Sequence, residues 1–252
     1  MKAELLQAER VGRKCNLIEF PGRIGTLAKS MAFQLRSDIL NKKLGIFYQP
    51  LHDKDNNIIG AEALLRWEFN NDYMYPPLVI QIAKDDDIID DMAKCIIEIC
   101  CEDCKVFKRL SLRKFTLSIN ITPEQLDSIS FVDYVIETVM KYDLCGNIAL
   151  EVTEQGSILH YNNIPDNIAR LKNYDIAVCI DDFSMGHTSL KYLQNYSFDS
   201  IKLDGSLIRQ TLNNPRSQEI VTSIIQLGKG LNYKVTAEYV ETKEIEELFI
   251  QE

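Results

Sequence analysis

No apolar run in the chain reaches the roughly 18 residues that a membrane-spanning helix needs, so no span is expected. The opening MKAELLQAERVGRK lacks an apolar core and is not a signal peptide. Basic residues are also short: 28 Lys and Arg stand against 37 Asp and Glu, for a net charge of −9. That deficit argues against a dedicated binder of DNA or RNA polymers, because nothing global attracts a phosphate backbone. It leaves room for a small phosphate ligand held by metal ions. Histidine is scarce, and His52, His160 and His187 stand alone. The seven cysteines are an odd number without an export signal, which suggests reduced thiols and a cytoplasmic location. Cys101-Glu-Asp-Cys104 has zinc-like spacing, but a structural zinc needs four ligands and no second pair is found. The bland reading of these cysteines is small, soft residues on a helix. There is no linker of Gly, Ser or Pro and no visible repeat, so one domain is the simpler expectation.

What is present alternates. Short β-like runs occur at IFYQPL (46–51), IIGAEALL (58–65), FTLSINI (115–121), IALEVT (148–153), IAVCID (176–181), SIKLD (200–204) and KVTAE (234–238). Apolar residues at helical spacing fall over Asp91 to Leu110, Phe131 to Tyr142 and Ser217 to Leu231. Pro123, Pro165 and Pro215 sit near helix starts, where a missing N–H costs nothing. The segment TKEIEELFI near the end is helix-like. Strand–helix alternation predicts an α/β fold with a parallel sheet covered by helices, and the strands are apolar enough to be buried on both faces. The residues before Ile46 have helical character; residues 1–29 read as a leader or interdomain segment, and 30–252 as the barrel domain. Seven strands are one short of an eight-stranded barrel.

Acids collect at the C-terminal ends of these strands: Glu62 in GAEALLRW, Glu151 and Glu154 in EVTE, Asp181 and Asp182 in IDD, Asp204 in SIKLD, Glu238 and Glu241 in AEYVE. Asn120 in SINIT and Lys202 in SIKLD share those positions. In an α/β barrel these ends converge on one mouth. Taken singly, Asp182 is an ordinary helix N-cap, Asn120 a turn residue, and Glu62 or Glu238 a salt-bridge partner. Lys202 is harder to dismiss, because a lysine inside an apolar strand needs a partner. Together, carboxylates crowded at one mouth cannot all stay ionised without cations. Oxygen ligands of this kind suit Mg²⁺ or Mn²⁺. Two such ions form a clamp for attack of water on a phosphodiester.

GAEALLRW resembles the signature of the EAL-domain phosphodiesterases, which hydrolyse cyclic di-GMP. SINIT, EVTE, IDDFSMG, SIKLD and AEYVE follow in that family's order at similar spacing. The resemblance implies a TIM-like (β/α)8 barrel with one antiparallel strand. It implies two divalent cations, with Glu62, Asn120, Glu151 and Asp181 holding the first, and Asp181 bridging to the second, which Asp182 also binds. Lys202 would orient or polarise the attacking water. Glu238 would bind through water or act as general base, and Glu154 would anchor the loop after Asp182. Gln49 in YQP, with Leu64 and Arg66 in EALLR, would contact substrate; Asp204 is a further candidate. Arg66 suits a phosphate, since its planar fork can bond two oxygens at once. The product would be linear pGpG. Because related enzymes often pair through the barrel, a homodimer is also an expectation.

Several positions depart from the family pattern. DDFG followed by a small residue and Gly is DDFSMG here, with Ser184 and Met185 ahead of Gly186; AEGVE is AEYVE, with Tyr239 for glycine; an Ala-Glu pair is Ala83-Lys84. The family's final strand, with its Gln-Gly-Tyr, is missing. Three explanations are open: a chain cut short, a strand lent by another protomer, or the strand-like CNLIEF (15–20) filling the gap. The altered loop and the missing tail raise the alternative of a degenerate domain, either a non-hydrolysing cyclic di-GMP receptor or a protein-interaction module.

Overall fold

A computed structural model describes residues 23–110, 115–153, 161–183, 189–240 and 242–250. Its strands are β1 (Gly45–His52), β2 (Ile58–Arg66), β3 (Glu68–Phe69), β4 (Asp72–Tyr73), β5 (Thr116–Ile121), β6 (Ile148–Thr153), β7 (Ala177–Phe183), β8 (Ser200–Leu203) and β9 (Lys234–Ala237). Seven of them form one sheet in the order β1-β2-β5-β6-β7-β8-β9. β1 runs antiparallel to β2, and every later pair is parallel. With helices between the parallel strands, this is the barrel architecture expected from the alternation, with one antiparallel strand and seven staves among the described residues. The segment 15–20 lies outside those residues.

The central parallel strands β5, β6, β7 and β8 are largely buried because helices cover the outside of the sheet. Leu117, Leu150, Val152, Val178, Ile180 and Ile201 are fully buried, joined by Val132, Val135 and Val139 from the helix Ile129–Lys141. That helix starts where Ser128 caps Phe131 N–H. The helices Pro123–Asp127, Ile164–Asn173 and Pro215–Leu231 each carry proline in their first two positions, as the sequence predicts. The cysteines at 95, 100, 101 and 104 lie buried on the helix Ile89–Leu110. Burial pushes the Cys101 thiol up to about 12 and Cys104 to about 11, so both behave as small apolar groups.

A second core supports the mouth. The helix Arg23–Leu40 packs Met31, Leu35 and Ile39 against Trp67, Val79, Ile82 and Ala83. Trp67 is 1% exposed, and its indole N–H donates to Asp38 at 2.9 Å. Gln34 holds the Asp38 carboxylate from the other side at 3.0 Å. Since Trp67 directly follows Arg66, this anchor fixes the mouth end of β2. Gly60 fixes its other end: a Cβ there would stand 2.3 Å from the Thr116 carbonyl oxygen, so only glycine lets β2 and β5 approach this closely. Among the described residues no helix is long and apolar enough to cross a membrane.

Candidate active site

The register of the sheet decides which side chains meet. Side chains alternate faces along a strand, and residues paired across neighbouring strands share a face. Gln49 pairs with Glu62, Glu62 with Ser118, Asn120 with Glu151, Thr153 with Asp181, and Lys202 with Thr236. Stepping by two along each strand puts Gln49, Glu62, Leu64, Arg66, Asn120, Glu151, Asp181 and Lys202 on one inner face. Glu238 follows two residues after Thr236 and joins them.

Lys202 is the hub. It is 3% exposed, and its Nζ donates to Glu62 Oε2 at 2.7 Å and Glu151 Oε2 at 2.9 Å. It also pairs with Glu238 Oε1 at 2.9 Å and Asp181 Oδ1 at 3.2 Å. Asn120 Nδ2 donates to Glu62 Oε1 at 2.9 Å and orients that carboxylate. Burial alone would lower the Lys202 pKa, but Glu151, Asp181 and Glu62 outweigh it and hold the ammonium charged.

Asp182 would point to the outer face by simple alternation. It does not, because its backbone lies in the left-handed region (φ 54°) and the β7–β8 register slips between Ile180 and Phe183. Aspartate tolerates that conformation better than most residues, and the bulge re-aims its side chain. Single ligand atoms of Asp181, Asp182 and Glu238 all lie within 4.8 Å of one another. Asp181 Oδ1 is buried and accepts no hydrogen bond, although the Lys202 charge is near. An orphaned carboxylate oxygen beside two further acids fits an oxygen-coordinated divalent cation. Among the described residues this is the one group of three or more His, Cys, Asp or Glu whose ligand atoms already lie this close together; Cys101 and Cys104 are not in it, and Glu62 and Glu151 turn their carboxylates to Lys202 instead.

Charge balance makes the same case. Four carboxylates (Glu62, Glu151, Asp181, Glu238) pair with one ammonium, and a fifth, Asp182, stands beside Asp181 and Glu238. Burial, with Glu62 and Asp181 adding repulsion, pushes Glu151 up to about 7 against the pull of Lys202. Burial, then Asp181 and Glu238, pushes Asp182 up to about 6. The folded chain therefore keeps protons on these groups where the unfolded chain, with ordinary values of 3.8 and 4.5, has released them. In chelated protein the two groups make stability fall as pH rises from about 4.5 to 7. Thermal unfolding across that range should show a falling Tm, and added Mn²⁺ should abolish the fall. A Tm that ignores both pH and Mn²⁺ would mean the acids do not strain one another.

The remaining expected residues divide. Leu64 and Arg66 stand on the inner face beyond Glu62, and Arg66 lies over the Phe47 ring, 5.5 Å from its centroid. Asp204 caps the helix Gly205–Gln210, accepting from Ser206 N–H at 2.8 Å and Leu207 N–H at 3.1 Å. Burial opposes its ionisation, but the Ser206 hydroxyl, those N–H groups and Arg209 hold its pKa below the ordinary value. Glu154, Glu241, Ser184 and Met185 lie outside the described residues.

Tyr239, where the family pattern has glycine, is left-handed (φ 53°) and its ring lies under Arg209, 4.1 Å from the guanidinium carbon. A bulky side chain in this region is strained. The ring is accommodated by Gly205, whose added Cβ would fall 1.8 Å from Tyr239 Cδ2. Gly205→Ala should cost about 1–3 kcal/mol through this clash. The same change in a Tyr239→Gly background should cost little, a coupling that denaturant melts of the double-mutant cycle measure. Additive costs would show that the two residues do not meet.

Fold and site together define a barrel protein with an acidic, lysine-centred mouth suited to divalent cations. The chain belongs to the EAL domain family, whose model matches residues 33–251. It is 30% identical over 233 residues to the Bacillus subtilis signaling protein YkoW, covering 91% of this chain and 29% of that protein. It is 29% identical over 215 residues to the cyclic di-GMP phosphodiesterase NbdA of Pseudomonas aeruginosa, covering 84% of this chain and 28% of NbdA. The solved PaMucR phosphodiesterase, in complex with c-di-GMP, superimposes with a TM-score of 0.79 at 25% identity, over 88% of this chain and 91% of that one. The EAL enzyme Bd1971 in its cAMP-bound form gives 0.79 at 28% identity, over 96% and 71%. The chain thus spans about three-tenths of the length of these two curated relatives.

Proposed function

We propose that this chain hydrolyses cyclic di-GMP to linear pGpG with two divalent cations, Mg²⁺ or Mn²⁺. The observation that carries the reading is the close cluster of Asp181, Asp182 and Glu238 beside the Lys202-centred acids, with Asp181 Oδ1 buried and held by the Lys202 charge alone. Glu62, Asn120, Glu151 and Asp181 are the residues suited to the first ion, and Asp181 and Asp182 to the second. When bound, such ions acidify water and neutralise charge on phosphoryl oxygens. Lys202 orients the attacking water and adds fixed positive charge; its pKa is held too high for it to give up a proton. Glu238, which shares the Lys202 ammonium at 2.9 Å, is placed to accept the proton of that water. Gln49, Leu64 and Arg66 contact the substrate, with Arg66 on a phosphate, and Asp204 lies at the edge of this set.

A second reading, a domain that binds cyclic di-GMP without cleaving it, is favoured by Tyr239. That residue directly follows Glu238, and its left-handed backbone is strained where glycine's would not be. Incubation with cyclic di-GMP and Mg²⁺ or Mn²⁺, followed by chromatography, separates the readings. Formation of pGpG that stops on chelation supports hydrolysis. Nucleotide bound but intact selects the receptor, and neither binding nor turnover rejects both.

A further inference from the structure

Beside the acids stands an aromatic corner that metal chemistry does not use. Phe47 pairs with Leu64 across β1 and β2, two residues beyond the Gln49–Glu62 pair. It therefore shares the inner face with Glu62 but sits one pleat, about 7 Å, nearer the mouth. Its ring meets Tyr73 edge to face, with centroids 5.7 Å apart at 73°. Both rings remain open, Phe47 at 50% exposure and Tyr73 at 55%. Arg66, one pleat further out than Leu64, lies over the Phe47 ring.

The corner is rigidly built. Tyr73 is carried on the β3–β4 hairpin, where Glu68 pairs with Tyr73 and Phe69 with Asp72. The two turn residues, Asn70 and Asn71, are both left-handed (φ 54° and 63°), as a tight two-residue hairpin turn requires. Asparagine suits that conformation. Met74 N–H donates to the Trp67 carbonyl at 2.8 Å, tying the hairpin to the buried tryptophan. Two rings held half open at 73° offer one planar aromatic guest a face to stack on and an edge to meet.

Resting on the cyclic-dinucleotide reading above, we propose that the Phe47–Tyr73 corner receives one base of the substrate, making these two residues substrate-binding residues. Charge complementarity orders the ligand: cations and Arg66 face its phosphates, and the uncharged corner one pleat away faces a base. Every base has a π-face, so stacking supplies affinity at low ordering cost when the platform is preformed.

Steady-state kinetics with cyclic di-GMP and Mn²⁺, alongside Mn²⁺ binding by calorimetry, tests this on the full chain. Phe47→Ala should raise KM about tenfold, as loss of a stacked base does, while kcat stays within about twofold. Mn²⁺ affinity should not move, and Phe47→Trp should restore KM. Tyr73→Ala should act in the same direction. If the unchanged protein binds without turnover, Kd is read in place of KM. An active or binding protein whose KM or Kd ignores both alanine changes would overturn this proposal and leave the phosphodiesterase or receptor reading standing. A parallel fall in kcat and Mn²⁺ affinity, unrescued by Phe47→Trp, would reduce the corner to structural support and also overturn it. Unchanged protein that neither binds nor cleaves the nucleotide would overturn the proposal together with the reading it rests on.

Discussion

Lys202→Ala should unfold chelated protein at a Tm lower by roughly 6–20 °C. The estimate follows from the environment of Nζ, which is buried among Glu62, Glu151, Asp181 and Glu238 at 2.7–3.2 Å. Removing one partner of a buried ion pair costs about 3–5 kcal/mol, because the other partner keeps its desolvation penalty and loses its compensation. For a chain of this size each kcal/mol moves Tm by about 2–4 °C. Mn²⁺ should recover much of the loss, since a divalent cation can balance the same oxygens. Turnover should fall at least about 100-fold, the scale of losing one preorganised charge at a reacting phosphoryl group. Binding of cyclic di-GMP should fall much less. Equal losses in turnover and binding would move Lys202 from water orientation to substrate recognition, and an unchanged Tm would show that the acids do not depend on it.

Glu62→Ala should behave in the opposite way in the absence of metal. It removes one carboxylate from a crowded group, so chelated protein should be as stable as the parent or more so, because Glu151 then loses a repelling neighbour. It abandons two partners: Lys202, which keeps Glu151, Asp181 and Glu238, and Asn120, which is exposed and can turn to water. Metal-dependent turnover, however, should vanish. Removing outer-shell partners of a metal already costs about 10–100-fold, and a direct ligand should exceed that. The two variants thus separate stability from activity: one loses both, the other loses activity alone. Substantial residual turnover in Glu62→Ala would contradict its role as a ligand.

The seven sheet strands were readable because they are short, rich in apolar residues and bounded by turns, and each falls within two residues of its expected range. The inner-face acids were readable for the same reason. Glu62, Asn120, Glu151, Asp181 and Lys202 occupy alternate positions whose register follows from parallel pairing. Asp182 was legible as one of two acids closing a strand, although alternation alone sends it outward and its left-handed backbone is invisible to periodicity. Asp204 reads as one more mouth acid in sequence, yet the structure uses its Oδ1 for a helix cap. The Gly205–Tyr239 fit is a contact across 34 positions that no local pattern announces. The Phe47–Tyr73 corner was missed although a signal existed: Asn70-Asn71 between aromatic flanks is a hairpin turn signature. It was passed over because β3 and β4 have only two residues each, too few to show alternation.

The most direct measurement is anomalous diffraction from crystals of this protein equilibrated with MnCl₂, collected at the manganese edge. The expected map has manganese peaks within coordination distance of Asp181, with Asp182 or Glu62 as neighbours and Lys202 displaced no further than its hydrogen bond to Glu151 allows. Manganese density confined to other acids on the surface, with Asp181 still unligated at saturating metal, would contradict the shared-cation site on which the functional reading stands.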